Sequence, residues 1–273
     1  MKTAVVVTTY NRPDALAAAM AGYFAQSTLD FELLVADDGS TNETRILVEK
    51  HAARAPFPLR HVWQEDRGFR PGAARNRAAA CATGDYLIFV DGDCVPAPDF
   101  VRQHQLFAEP GFFLSGNRVL VAKAFTQHVL AAQLPIHQWR ASRWLRAWLT
   151  RDVNRVLPLL TLPDGKFRKR SPDRWEGVKT CNLSLWRSDF VRVNGFDEAY
   201  SGWGLEDSDL AIRLIRAGIH HKSLRFATPV FHLWHREADR RGMVENQRLL
   251  NDLIASRRAR AQIGVDQYLA SIA

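Results

Sequence analysis

Cysteine is scarce in this chain of 273 residues: Cys81, Cys94 and Cys181 lie far apart, with no CxxC pair. That argues against a disulfide framework or a sulfur-rich zinc site and points to a reducing compartment, the cytoplasm. Long hydrophobic runs are missing as well. No stretch approaches the roughly 20 apolar residues of a membrane-spanning helix. The apolar run after Lys2 is broken at Tyr10-Asn11-Arg12-Pro13, too early for the core of a signal peptide. The expectation is a soluble protein, at most peripheral at the inner face of the cytoplasmic membrane. No GxGxxG follows the first apolar run and no GxxxxGK[S/T] occurs, so neither dinucleotide nor P-loop binding is supported. Internal repeats and low-complexity tracts are also absent.

What is present is an ordinary globular composition, 47% hydrophobic and 24% charged, with enough apolar material for a sizeable core. The formal net charge is +8 and unevenly spread: residues 137–176 hold ten Arg and Lys against four Asp and Glu. Such a basic segment suits an anionic partner, whether a membrane surface, a nucleic acid or a phosphorylated substrate, or is simply a solvated arginine-rich surface.

The first hundred residues alternate regularly. Apolar runs at Ala4–Thr8, Phe31–Ala36, Leu59–Trp63 and Asp85–Val90 read as strands. Between them, helices are predicted from Pro13 to Gln26, from a Ser40 or Thr41 cap to Arg54, and from Gly72 to Ala82. This order implies an α/β fold whose mostly parallel central sheet is flanked by helices, with ligands gathering at the carboxyl ends of the strands. The second half is less regular. Strands are predicted at Phe112–Leu120, Val178–Trp186 and Phe226–Trp234. Helices are predicted at His137–Thr150, Asp207–Ala217 and Met243–Arg260. In the first of these, Trp144, Leu145, Trp148 and Leu149 share one side and Arg140, Arg143 and Arg146 the other. A soft boundary near residue 120 separates 1–120 from 121–273, with a core that is expected to run through both.

Several charged motifs fall at the predicted strand ends. Asp91-Gly92-Asp93 closes a buried strand with two carboxylates, which suit Mg²⁺ or Mn²⁺ bridging to substrate phosphates, with Gly92 leaving room for them. A DxD triplet alone is equally a turn or a helix cap. Asp37-Asp38-Gly39-Ser40 has the same placement one strand earlier, where a carboxylate can accept a hydrogen bond from a base or a ribose, or cap a turn. Arg67-Gly68-Phe69-Arg70-Pro71-Gly72-Ala73-Ala74-Arg75 runs into a helix, and helix N-termini and arginines both favour phosphate; surface ion pairs are the alternative reading. Gly202-Trp203-Gly204-Leu205-Glu206-Asp207-Ser208-Asp209 places an aromatic before three carboxylates at a helix start. Those acids complement the helix dipole, or one is a general base beside an aromatic sugar platform. His232 and His235, three apart, chelate a metal only if the backbone turns between them.

Taken in order, TTYNRP, ADDGST, GAARNRA and the strand-plus-DGD resemble the nucleotide-binding half of a family 2 glycosyltransferase with the GT-A fold. VKTCNLSLW, VNGFDEAYSGWGLEDSDL and HLWHRE resemble the C-terminal region of the β-1,4-galactosyltransferases and related polysaccharide synthases. The resemblance implies an inverting transfer from a UDP-sugar with Mn²⁺ or Mg²⁺. It implies that Thr8 and Asp38 hold the uridine, with Asn11, Arg67, Gly68 and Arg75 on the same nucleotide side. It implies a metal set of Asp91, Asp93, His235 and His232, with Asp93 the stronger carboxylate ligand, Asp91 nearer the ribose, and His232 at a position the galactosyltransferases fill with a methionine ligand. Asp207 then matches the catalytic base, Glu206 a sugar-hydroxyl contact, and Trp203 with Gly204 the aromatic acceptor and donor-sugar site.

The resulting expectation is transfer of one hexose or N-acetylhexosamine to a cell-envelope glycan or glycolipid acceptor such as lipopolysaccharide core. The basic segment 137–176 would touch an anionic membrane, and no nucleic-acid partner is expected. Two alternatives are a capsule or exopolysaccharide transferase with a soluble acceptor, and a non-catalytic binder of anionic polymers on the same fold.

Overall fold

The computed structural model describes residues 1–236, 240 and 242–269. The first half runs β1 (Thr3–Thr9), α1 (Pro13–Phe24), β2 (Glu32–Asp37), α2 (Asn42–Ala52), β3 (Leu59–Trp63), α3 (Pro71–Cys81) and β4 (Tyr86–Asp91). It continues with β5 (Cys94–Pro96), α4 (Phe100–Phe107), β6 (Phe112–Ser115), β7 (Asn117–Leu120), α5 (Lys123–Ala131) and α6 (Ala141–Leu149). The remainder comprises β8 (Leu183–Trp186), α7 (Arg187–Arg192), α8 (Glu206–Arg216), β9 (His220–Ser223), β10 (Pro229–His232), α9 (Met243–Ala255) and α10 (Asp266–Leu269).

Among the described residues a seven-stranded sheet has the order β3-β2-β1-β4-β8-β6-β9. β1, β2, β3 and β4 pair in parallel, and β8 is antiparallel to both of its neighbours. Strands from the second half thus enter the same sheet as β1 to β4. Successive residues of a strand point to opposite faces, and both faces here are apolar. Ala4, Val6, Leu87 and Phe89 enter one core, where α3 supplies Ala74 and Ala78. Val5, Val7, Ile88 and Val90 enter the other, where α1 supplies Leu16 and Met20. This is why the first two strands read as continuous apolar runs rather than alternating ones. The strand order reverses between β1 and β4, and such a switch point opens a crevice at the carboxyl ends of the strands.

The predicted strand Phe112–Leu120 is in fact two strands in different sheets. The chain crosses over at Gly116, whose amide donates to the Asn182 carbonyl at 2.8 Å. A side chain at Gly116 would meet the Asn182 amide at 2.4 Å, so only glycine permits the crossing. β7 then joins β10 and β5 in a three-stranded sheet. Two other strands are shorter than the sequence suggests, Thr180–Asn182 forming a 3-10 turn before β8 and β10 spanning four residues. Helix α9 stops at Ala255 rather than Arg260. Neither Ser40 nor Thr41 caps α2 through its side chain. Instead the Ser40 hydroxyl accepts from the Asn11 amide, and the Thr41 amide donates to the Asn11 side chain, stitching the β1–α1 and β2–α2 loops together.

Helix α6 buries one face differently from the wheel reading. Trp144 and Ala147 point inward, Trp144 stacking on Phe231 with ring centroids 4.1 Å apart. Leu145, Trp148 and Leu149 remain 49%, 44% and 69% exposed. The inward stripe joins a cluster made by the second sheet, through Phe231, and by Phe125 and Val129 of α5.

Candidate active site

The site is assembled where β1, β4 and α8 converge. Thr8 and Asp91 are register partners on β1 and β4. Between them lies Arg75 of α3, 4% exposed. Its Nε donates to the Thr8 hydroxyl at 3.0 Å, one terminal nitrogen to Asp91 at 3.0 Å and the other to Glu206 at 3.1 Å. The guanidinium also stands over the Phe196 ring. The two carboxylates of the DGD triplet therefore do not share one partner: Asp91 turns to Arg75 and Asp93 faces away from it, towards histidine. Burial raises the Glu206 pKa, and the neighbouring Asp207 charge raises it further, while Arg75 opposes both.

Asp93 meets both imidazoles. Its carboxylate oxygens lie 3.6 Å from His232 Nε2 and 3.4 Å from His235 Nε2. The short β5, antiparallel to β10, pairs Cys94 with His232 and so brings the end of β4 beside the end of β10. Past His232 the backbone leaves the strand. Leu233 donates to the Asp93 carbonyl and Trp234 to the Thr126 hydroxyl, and this turn swings His235 onto the same side as His232. Burial lowers the His232 pKa, favouring the neutral imidazole that binds metals. A carboxylate and two imidazoles, part-buried and converging, form a donor set that fits a divalent ion such as Mn²⁺. Gly92 has a structural task too: a Cβ there would meet, at 2.9 Å, the same Thr8 carbonyl that accepts a hydrogen bond from the Gly92 amide.

Asp207 begins α8 beside Glu206, is 6% exposed, and places a carboxylate oxygen 3.3 Å from Lys179 Nζ. The helix is entered through Leu205 at φ +78°, a left-handed conformation that a leucine adopts only at a cost of order 1–3 kcal/mol. That strain sits immediately before the two acids. The third acid of the motif is structural: Asp209 is fully buried and paired with Arg213 at 2.6 Å. Trp203 is 38% exposed, with the Arg240 guanidinium over its ring.

The remaining residues expected on the nucleotide side divide. Asp38 is 1% exposed and both its oxygens are engaged, one by Gln64 and one by the Arg70 amide, each at 2.6 Å. Burial raises its pKa. Asn11 holds the two loops described above. Arg67 is exposed and pairs with Glu65, and the Gly68 amide donates to Asp66. Lys179 is the functional-looking residue that sequence reasoning passed over. It lies within VKTCNLSLW, but nothing in that motif links it to an acid 28 positions later. The last residue of HLWHRE, Glu237, lies outside the described residues.

A mostly parallel sheet with acids and imidazoles gathered at its switch point defines the nucleotide-diphospho-sugar transferase class of folds. Solved structures agree at the level of fold. TarS of S. aureus with UDP-GlcNAc superimposes with a TM-score of 0.62 at 18% identity, over 99% of this chain and 71% of that one. The mannosyltransferase PcManGT of Pyrobaculum calidifontis, with GDP-Man and Mn²⁺, gives 0.59 at 19% identity, over 86% and 58%. The chain belongs to glycosyl transferase family 2, whose model matches residues 4–156, and a second model, the N-terminal domain of galactosyltransferase, matches residues 166–236. Validoxylamine A glucosyltransferase of Streptomyces hygroscopicus subsp. limoneus is 35% identical over 228 residues, 79% of this chain and 48% of that protein. Hyaluronan synthase of Pasteurella multocida is 27% identical, over 81% of this chain and 23% of its own length. The chain thus spans about half the length, or less, of these two relatives.

Proposed function

We propose that this protein is an inverting, divalent-metal-dependent glycosyltransferase that moves a hexose or N-acetylhexosamine from a UDP-sugar to a cell-envelope glycan acceptor such as lipopolysaccharide core. The observation that carries the proposal is the meeting of Asp93 with His232 and His235 at the end of β4, joined through Asp91, Arg75 and Glu206 to Asp207 at the start of α8. Residues 1–120 would hold the donor and residues 121–273 supply the base and the acceptor side.

In this reading Asp93, His232 and His235 hold Mn²⁺ or Mg²⁺, which when bound neutralises the charge of the departing diphosphate. Asp207 takes the proton of the acceptor hydroxyl. The oxygen forms its bond to the anomeric carbon as the bond to the diphosphate breaks on the opposite face, so one displacement inverts the centre and UDP leaves with the electron pair. Arg75 holds the Glu206 and Asp91 side chains in place, and Glu206 offers a carboxylate oxygen to a sugar hydroxyl. Thr8 and Asp38 border the nucleoside, and Trp203 offers a ring face to the sugar. The test is a thermal-shift screen of UDP-, GDP- and dTDP-sugars with and without Mn²⁺. A UDP-sugar with Mn²⁺ raises Tm by several degrees, since a ligand that binds only the folded form stabilises it. Equal shifts for all nucleotides, or none with Mn²⁺, would count against the donor assignment.

The same protein is proposed to touch an anionic membrane through α6. Its exposed Leu145, Trp148 and Leu149 lie beside Arg140, Arg143 and Arg146, the combination that interfacial helices use. No described helix is long and apolar enough to cross a membrane. Replacing the three arginines by alanine is expected to weaken co-sedimentation with phosphatidylglycerol vesicles by about 1 kcal/mol per residue. Unchanged sedimentation would remove the membrane contact.

A further inference from the structure

Beyond α6, Arg155, Arg168, Arg170 and Arg174 of the basic segment come together along one recess. The recess is a cleft of about 320 Å³ that adjoins the site, within the usual range of ligand pockets. Arg118, Arg155, Arg170, Arg174, Lys179 and Arg225 line it, with Glu176 as the carboxylate among the lining residues. None of Arg118, Arg155, Arg170 and Arg225 has a carboxylate partner among the described residues. Converging unpaired cations repel one another, so the cluster is a standing cost that an anion relieves.

The walls are built rather than loose. Arg168, 2% exposed, donates to the carbonyls of Leu162, Pro163, Ser223, Arg225 and Phe226, binding the 162–170 loop to the 223–226 turn. Lys222, 1% exposed, ties Asp164 to Glu109 on the other side. The arginine-bearing loops are therefore held in place before any ligand arrives. Phe167, 40% exposed, presents an aromatic face in the same cleft.

The cleft opens towards the proposed chemistry at two points. Lys179 lines it and reaches Asp207 at 3.3 Å. Arg118 on β7 is the register partner of Val230, two residues before His232. Resting on the transferase reading above, we infer that this cleft is the acceptor subsite and that the acceptor carries a phosphate ester, held by Arg155, Arg170 and Arg225 while its hydroxyl reaches Asp207. Arginine forks match phosphate oxygens bidentately, and several around one small cleft suit a dianion better than the single charge of a uronate. The donor diphosphate does not need this cleft, because its counter-charge is assigned to the Asp93 side.

Glucose 6-phosphate serves as probe, titrated calorimetrically beside glucose and glucuronate, each with and without UDP and Mg²⁺. Glucose 6-phosphate is expected to bind, glucose not measurably, and glucuronate at least fivefold more weakly than the phosphate. Saturating UDP–Mg²⁺ is expected to leave the phosphate affinity within twofold. Arg155→Ala/Arg170→Ala/Arg225→Ala is expected to lose at least tenfold in that affinity while UDP–Mg²⁺ binding stays at the wild-type value. The single Arg225→Gln change moves it the same way should the triple variant fail to fold. The inference is overturned if the wild type does not bind the phosphate or if UDP–Mg²⁺ displaces it. It is equally overturned if the variants lose phosphatidylglycerol vesicles but keep the sugar phosphate, which would assign the cleft to a lipid headgroup. Wild-type failure to bind UDP–Mg²⁺, with phosphate binding intact, would instead sink the transferase reading.

Discussion

Asp207→Asn is expected to reduce sugar transfer by roughly 10²–10⁴-fold, the usual contribution of a positioned general base, while leaving UDP–Mn²⁺ affinity unchanged. The substitution keeps the shape of the side chain and removes only its basicity. Its structural side effects are small, because the partner it abandons, Lys179, is 47% exposed and regains water readily. The proposed donor contacts are elsewhere, at the carboxyl ends of β1, β2 and β4. Steady-state transfer rates and nucleotide titration on one preparation separate the two effects. A parallel loss of nucleotide binding would mean that Asp207 holds the donor, and an unchanged rate would mean that another group takes the proton.

Asp93→Ala is expected to weaken Mn²⁺ binding by at least about 100-fold, since even partners behind a metal ligand typically cost 10- to 100-fold, and to abolish transfer at ordinary metal concentrations. Chelation by EDTA should reproduce the loss in the wild type, and added Mn²⁺ should restore only the wild type. Without Asp93, His232 and His235 keep their places, because the turn that aligns them uses the Asp93 carbonyl and the Thr126 hydroxyl, not the carboxylate. The variant should therefore melt near the wild-type temperature without metal. Calorimetric metal titration decides the matter, and transfer that survives both Asp93→Ala and EDTA would leave only a metal-independent mechanism.

The regular first half was legible because each signal was local. Apolar runs such as Ala4–Thr8 are buried on both faces, Pro13 and Pro71 start helices, and an acid follows each of two strands. The second half was less legible because its elements are decided by neighbours. Phe112–Leu120 has the composition of one strand, and the break at Gly116 exists only because the Asn182 side chain occupies the space beside it. The wheel of α6 grouped Trp144 with Trp148, yet Phe231 lies under one and solvent over the other.

Candidate residues followed the same division. Thr8, Asp38, Asp91, Asp93, Glu206, Asp207 and the two histidines could be singled out by residue type and by position at element ends. Their pairings could not. Arg75 looked like a phosphate contact, and in the fold it is spent on Thr8, Asp91 and Glu206. Arg67 pairs with Glu65, and Lys179 had no visible reason to matter.

By itself the sequence determined the class of sheet, the strand ends at which acids stand and the surplus of positive charge, because these depend on composition and on periods of two and 3.6 residues. Only the tertiary structure decided that the DGD carboxylates serve different partners, that His232 and His235 turn to one side, and that part of the arginine-rich segment closes into a cleft at Asp207. Those facts depend on which distant segments share a few cubic ångströms, and no local pattern encodes that.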